Sequence, residues 1–295
     1  MNSDLLYFAY GSNLNEADLR QWCQETGRPH PLGEKYANAW LPDMQLVFNY
    51  KSQRRKGGAL NLRHRMGQAT PGTLFRISLD GLATLDEKEG SPNVYKHLDV
   101  TALTEDGREH SAITYQVHTA MIEGAFVPPH SGYLKVLQEG FAAHGLDDCM
   151  LNAVSEDKDP PECIDKLFVY GTLKEGGPRH HILQSWGDYE RKIEGRVHGT
   201  LYDTGKGFPC MVPAEKDDHF VAGEVYLLKD VKKVFEMLDI VEAVKRFGES
   251  GALFRRAIIR TETAEGSSDL AWSYLSDMDI QGMTRIDSGK WPAVA

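Results

Sequence analysis

The chain has 295 residues, 41% of them hydrophobic and 26% charged, a length that suits two domains of roughly 150 residues and a composition that argues against disorder. A formal charge of −10 excludes a general nucleic-acid binder, which needs a basic face. The four cysteines, Cys23, Cys149, Cys163 and Cys210, stand far apart with no CxxC pair. They fit a reducing, cytoplasmic compartment and predict neither a disulfide framework nor a zinc knuckle. No apolar run approaches the roughly 18 residues that span a bilayer, and no basic segment precedes an apolar core near the start, so neither a membrane anchor nor a secretory signal is expected.

Leu5 to Ala9 predicts a short apolar strand that breaks at Gly11. Asn15 then caps a helix to about Thr26, with Asp18 at the capping-box position and Gly27 as the stop. Leu46–Tyr50, Ala59–Leu62 and Gly72–Ile77 read as three strands, and the basic run Lys51, Arg54, Arg55, Lys56, Arg63 and Arg65, flanking Gly57-Gly58, reads as a solvated hairpin tip. Leu79, Leu82 and Leu85 share one face of a short helix capped by Ser78. Tyr95–Leu103 and Ser111–Val117 pair across Glu105-Asp106-Gly107. Ser131 caps a last helix, Gly132–His144, closed by Gly145. Strands around Thr200 and Val225, a helix Val231–Leu238 and a hairpin across Glu265-Gly266 follow. Strands dominate and helices decorate, so each half is expected to be a small closed or nearly closed sheet.

The second half repeats the first. Tyr10-Gly11-Ser12 returns as Tyr170-Gly171-Thr172, and Leu85-Asp86 with Glu89 returns as Leu238-Asp239 with Glu242. Tyr95, Gly107 and Tyr115 match Phe254, Gly266 and Tyr274 in the same order. This is the mark of a tandem duplication: domains 1–153 and 165–295, joined by a polar, Pro-Pro-bearing linker 154–164.

Two features carry chemistry. In Tyr10-Gly11-Ser12-Asn13 a strand ends in a tight turn before a helix. Backbone N–H groups converge in such a turn and suit an anion such as a carboxylate. Glu89 and Glu242 keep their spacing from Leu-Asp while Glu87 becomes Ile240, so the persistent carboxylate is the candidate for reaction. Asp86 and Asp239 persist too, and a local interaction with backbone near the helix end is expected of them. His180-His181 has no third ligand at metal spacing, so no metal site is expected.

Tyr7-Phe8-Ala9-Tyr10-Gly11-Ser12-Asn13-Leu14, Gly57-Gly58-Ala59-Leu60, Leu85-Asp86-Glu87-Lys88-Glu89-Gly90 with Tyr95, and Pro128 to Lys135 together resemble the γ-glutamylcyclotransferases. Phe168 to Leu173, Gly199 to Asp203, Gly223 to Tyr226, Leu238 to Glu242 and Ser288 to Trp291 are similar to the AIG2-like and γ-glutamylamine cyclotransferase branch. That half departs at Ala243, where the family has glycine, and at Phe254, where it has tyrosine, and it has no match for Tyr133.

The resemblance implies an α+β fold, two tandem mixed β-barrels with flanking helices, and no cofactor or metal. It implies an enzyme that cyclises a γ-glutamyl amide to 5-oxoproline and releases an amino acid or amine. Glu89 and Glu242 would be the general acid/base, with the raised pKa that burial confers. Tyr7, Phe8, Ala9, Tyr10, Gly11, Ser12, Asn13, Tyr95 and Tyr133 would bind substrate in the first half. Val169, Tyr170, Gly171, Thr172 and Leu173 would do so in the second. The first pocket, with its two extra tyrosines, is expected to be the better closed. The expected partner is a small γ-glutamyl substrate, with no nucleic acid and no membrane. Two further readings stand beside it: a γ-glutamylamine cyclotransferase acting through the second domain, and a module that binds a γ-glutamyl or anionic metabolite without turnover.

Overall fold

The computed structural model describes residues 5–186, 189–215 and 218–292. The chain divides into two compact units, one ending at Cys163 and the other beginning at Ile164, with residues 103–109 counted in the second.

In the first unit, β1 (Leu5–Ala9) runs into a 3-10 turn at Ser12–Leu14 and then α1 (Glu16–Thr26). The Asn15 side chain accepts from the Asp18 amide at 3.0 Å, and Gly27 ends the helix in the left-handed region. The three strands expected next are two long ones, β2 (Lys35–Ser52) and β3 (Gly57–Ile77). Pro42 and Arg63-His64-Arg65 interrupt the apolar pattern, but the hairpin passes them with register shifts, one of them between Pro42 and Met44. At its tip Arg55 is not solvated. It forms a two-pronged ion pair with Asp18, both bonds 2.7 Å, and its guanidinium lies 4.8 Å from the Tyr133 ring centre.

Ser78 caps α2 (Leu79–Glu89) by accepting from the Gly81 amide. Leu79 is 67% exposed, so the buried face of α2 rests on Leu82 and Leu85 rather than on all three leucines. β4 (Tyr95–Leu103), β5 (Glu109–Val117), α3 (Ser131–His144) and α4 (Cys149–Ser155) complete the unit. His130, not Ser131, caps α3, its Nδ1 accepting from the Gly132 amide. The stretch after α4 is fastened to β3: Arg65 pairs with Asp159 at 2.9 Å and Gln68 donates to the Pro160 carbonyl. Cys149 and Cys163, 14 positions apart in the sequence, bring their free thiols to 2.9 Å.

The five strands close a barrel in the order β1-β3-β2-β4-β5. β1 is antiparallel to β3 and parallel to β5, where Tyr7 faces Ile113. Phe8, Leu46, Leu62, Leu74, Leu85 and Phe141 are buried in its core. Gly58 lets the chain before α3 cross β3 closely: its amide donates to the Pro128 carbonyl, and a Cβ there would lie 1.9 Å from the Val127 oxygen.

The second unit contains β6 (Lys166–Val169), α5 (His180–Trp186), β7 (Tyr189–His198), β8 (Thr200–Asp203), β9 (Pro209–Val212), β10 (Phe220–Leu228), α6 (Val231–Val241), β11 (Phe254–Thr263), β12 (Ser268–Ser276) and β13 (Thr284–Arg285). Its barrel closes as β6-β10-β7-β11-β12, while β13, β8 and β9 form a separate sheet. β6 is antiparallel to β10 and parallel to β12, where Leu167 faces Trp272. Strand for strand this is the topology of the first barrel. The two units are one mixed-barrel α+β fold built twice.

Candidate active sites

Each barrel has a pocket where its first strand turns. The first is lined by Tyr7, Tyr10, Gly11, Ser12, Asn13, Leu60, Glu89, Tyr95, Tyr115 and Tyr133. The second is lined by Phe168, Val169, Tyr170, Gly171, Thr172, Leu173, Arg179, Phe208, Pro209, Glu242, Phe254 and Tyr274. Phe8 and Ala9, expected among the substrate residues, do not line the first pocket and are fully buried. Alternation along β1 sends Phe8 into the core, where its ring covers Gly72. Leu60, from the Gly57-Gly58-Ala59-Leu60 motif, and Tyr115, from the repeat, line the first pocket without having been expected to bind, while Arg179, Phe208 and Pro209 come from segments that carry no local sign of a site.

The turns are alike. Leu14 N donates to Gly11 O at 3.0 Å, and Lys174 N to Gly171 O at 3.2 Å. The amides of Ser12 and Asn13 therefore precede the first turn bond, as helix-starting amides do. Tyr10 donates its hydroxyl to the Tyr115 carbonyl, and Tyr170 does the same to Tyr274, tying each turn to the last barrel strand. The Tyr115 hydroxyl donates to Asp86, and that of Tyr274 to Asp239. The paired aspartates thus hold a tyrosine with their side chains as well as the helix end with their carbonyls, which accept from Ser91 and Val244. His97 and Arg256, at matching places in β4 and β11, contact the same two carboxylates.

Around Glu89 the surroundings are polar. Asn13 is buried and donates to Glu89 at 2.9 Å and to the Tyr7 hydroxyl at 2.7 Å, while its carbonyl accepts from Lys88 at 2.7 Å. The Lys88 ammonium is 3.7 Å from Glu89, on a side chain only 3% exposed. Burial pushes its pKa down, with Glu89 opposing. Two tyrosines clamp Leu60: its carbonyl accepts from Tyr95 at 2.9 Å and its amide donates to the Tyr133 oxygen at 3.4 Å. Burial raises the pKa of all four tyrosines at positions 7, 10, 95 and 133, that of Tyr133 to about 12. They are neutral walls and hydrogen-bonding groups at neutral pH.

Around Glu242 that network is absent. Leu173 stands where the first half has Asn13, Val241 where it has Lys88, and Leu167 where it has Tyr7. Among the described residues nothing hydrogen-bonds the Glu242 carboxylate. Burial raises its pKa to about 7, with Arg179 opposing. Glu242 is 6% exposed, whereas Glu89 is half-buried, so the better-shielded carboxylate is in the second pocket and not the first. Apolar residues stand where the first half has its polar neighbours. His180 is a local fastener, its ring nitrogen bonding the Leu173 carbonyl at 3.0 Å.

Each pocket therefore sets one carboxylate beside a glycine turn and aromatic walls. That arrangement can move a proton on a small molecule whose anionic part lies against backbone amides. Among the described residues, no helix is long and apolar enough to cross a membrane.

The family described as "Gamma-glutamyl cyclotransferase, AIG2-like" matches residues 167–293, and that described as "AIG2-like family" matches residues 71–150. A γ-L-glutamyl-butirosin B γ-glutamyl cyclotransferase of Niallia circulans is 31% identical over 127 residues, which are 43% of this chain and 76% of that protein. The γ-glutamylcyclotransferase of Mus musculus is 31% identical over 148 residues, 48% of this chain and 72% of that protein. A solved structure of a γ-glutamyl cyclotransferase is 24% identical, with a TM-score of 0.44 over 54% of this chain and 90% of its own. With family matches in tandem, and relatives aligned over more than two thirds of their own lengths, this chain belongs to the γ-glutamylcyclotransferase family.

Proposed function

We propose that the chain is a γ-glutamyl cyclotransferase that converts a γ-glutamyl amide to 5-oxoproline and a free amine or amino acid. The observation that carries this reading is the meeting of Glu89 with the Tyr10-Gly11-Ser12 turn in one pocket. The substrate's own α-amine attacks its own γ-carbonyl, a five-membered ring closes, and the C–N bond to the leaving amine breaks. The nucleophile is tethered, so proximity supplies much of the rate. What remains is proton transfer and charge stabilisation. Glu89 takes a proton from the attacking α-ammonium and returns one to the departing nitrogen. The turn amides face the substrate carboxylate or the developing oxyanion. Tyr10 and Tyr95 have their hydroxyls committed to backbone carbonyls, so they shape the cleft and leave the proton to the glutamate. Glu242 does the same work in the second barrel, where a pKa of about 7 suits a base operating at neutral pH.

Screening the purified protein against γ-glutamyl dipeptides and γ-glutamyl amides, with 5-oxoproline detection, tests this. Release of 5-oxoproline from at least one class is expected, and its absence from all of them contradicts the reading.

A further inference from the structure

The two pockets share a turn and a glutamate and place their cation differently: Lys88 is bound to Asn13 beside Glu89 and does not line the first pocket, whereas Arg179 lines the second. Among the described residues, the charged side chains lining the second pocket are Arg179 and Glu242, whereas the first has Glu89 alone. Arg179 is not incidental to its pocket. Its backbone amide donates to the Thr172 carbonyl at 3.0 Å, so it is tied to the turn that would cradle substrate. The residue is half-buried, and among the described residues no acceptor bonds its guanidinium. Its charge nevertheless reaches the cleft, where it opposes the upward shift of Glu242. Phe208, Pro209 and Phe254 supply apolar walls beside it, and a charge pair formed against such walls is stronger than one formed in water.

An unpaired guanidinium in a cleft is a site for a carboxylate, which it binds with two parallel hydrogen bonds. Every γ-glutamyl substrate carries one carboxylate on the glutamyl part, and the first pocket handles that part with no cation in its lining. The feature that differs between the pockets should read the part that differs between substrates, the leaving group. We propose that Arg179 binds a carboxylate on the leaving group, so that the second site takes γ-glutamyl amino acids in preference to γ-glutamyl conjugates of neutral or cationic amines. A polyamine conjugate would set an ammonium against the guanidinium, which disfavours it directly. This inference rests on the proposed reaction for that site.

The test uses the full-length chain with Glu89→Gln, which silences the first site. The substrates are γ-glutamylalanine, γ-glutamylethylamide, which lacks only the leaving-group carboxylate, and γ-glutamylputrescine. The expected order of kcat/KM is alanine, then ethylamide, then putrescine. Arg179→Gln should lower the alanine-to-ethylamide ratio about 10–100-fold, the worth of a charge-assisted pair, and Arg179→Lys should keep part of it. Equal use of the three conjugates overturns the proposal. So does an Arg179→Gln variant that slows alanine and ethylamide alike, because Arg179 would then hold the common glutamyl carboxylate. NMR shifts of the Gly171 and Thr172 amides read binding at this site without turnover. If no conjugate reacts but the acid still binds better than the amide, the charge preference stands and the proposed reaction of this site falls. If binding shows no such preference, the inference falls.

Discussion

Asn13 Nδ2 lies 2.9 Å from a Glu89 carboxylate oxygen, while Leu173, its counterpart in the repeat, lines the pocket of Glu242 and offers no polar atom. One duplication has thus produced two settings for the same acid. In the first, an amide and an ammonium surround a half-buried carboxylate. In the second, a buried one has no hydrogen-bond partner among the described residues, and burial raises its pKa with Arg179 opposing.

The polar setting should behave as a unit. Asn13→Leu removes the partner of Lys88 as well as that of Glu89, leaving a buried ammonium with one hydrogen bond fewer. A loss of about 2–4 kcal/mol is expected in urea unfolding. Adding Lys88→Val, which imports the second-half residue, should recover a good part of it. A double variant as destabilised as the sum of the two singles would show that the residues do not couple.

Ala243 holds φ at 52°, where Gly90 in the first half holds 64°. A left-handed residue with a Cβ is strained, and glycine avoids this at the price of greater freedom in the unfolded chain. Ala243→Gly should therefore stabilise the second unit by about 0.5–1 kcal/mol. Gly90→Ala should destabilise the first, where the new Cβ would also meet Val94 at 3.1 Å. A lower unfolding midpoint for Ala243→Gly would contradict this account of the helix end.

Glu242 should give stability a pH dependence. Its folded pKa of about 7 exceeds the ordinary 4.5, so between these values the folded state binds more protons than the unfolded one. Stability from this group is present in full below pH 4.5 and is lost as pH rises through 7, a change of about 3 kcal/mol. Glu242→Gln should remove that component. The variant should be the more stable protein above pH 7 and should approach the wild type below 4.5. Parallel stability curves for the two would exclude a raised pKa.

Motifs that are contiguous in sequence were the legible part of this molecule. Tyr-Gly-Ser/Thr and Leu-Asp with its glutamate announced both barrels, because a strand-to-turn link and a helix end are local structures. The caps Asn15 and Ser78, and the left-handed Gly27, followed from the same short-range rules. What stayed hidden depends on distant partners. Arg55 looks like part of a solvated basic tip until Asp18 and Tyr133 are brought against it. Lys88 sits in an acidic helix end, and its burial follows from Asn13, which is remote in sequence. Arg179 has no counterpart in the first pocket, so the repeat could not flag it. The length of β2 and β3 was obscured because Pro42 and the central basic residues break the alternation that identifies strands.

The most direct test of the central claim is the rate of 5-oxoproline release from a γ-glutamyl dipeptide by the Glu89→Gln/Glu242→Gln double variant, measured beside each single variant and the wild type. Exchange of an acid for its amide preserves shape, so cooperative unfolding should persist. Loss of the only proposed bases should lower the rate by about 10²–10⁴-fold, with each single variant keeping the contribution of the intact site. A folded double variant that releases 5-oxoproline at the wild-type rate would contradict the assignment of both glutamates.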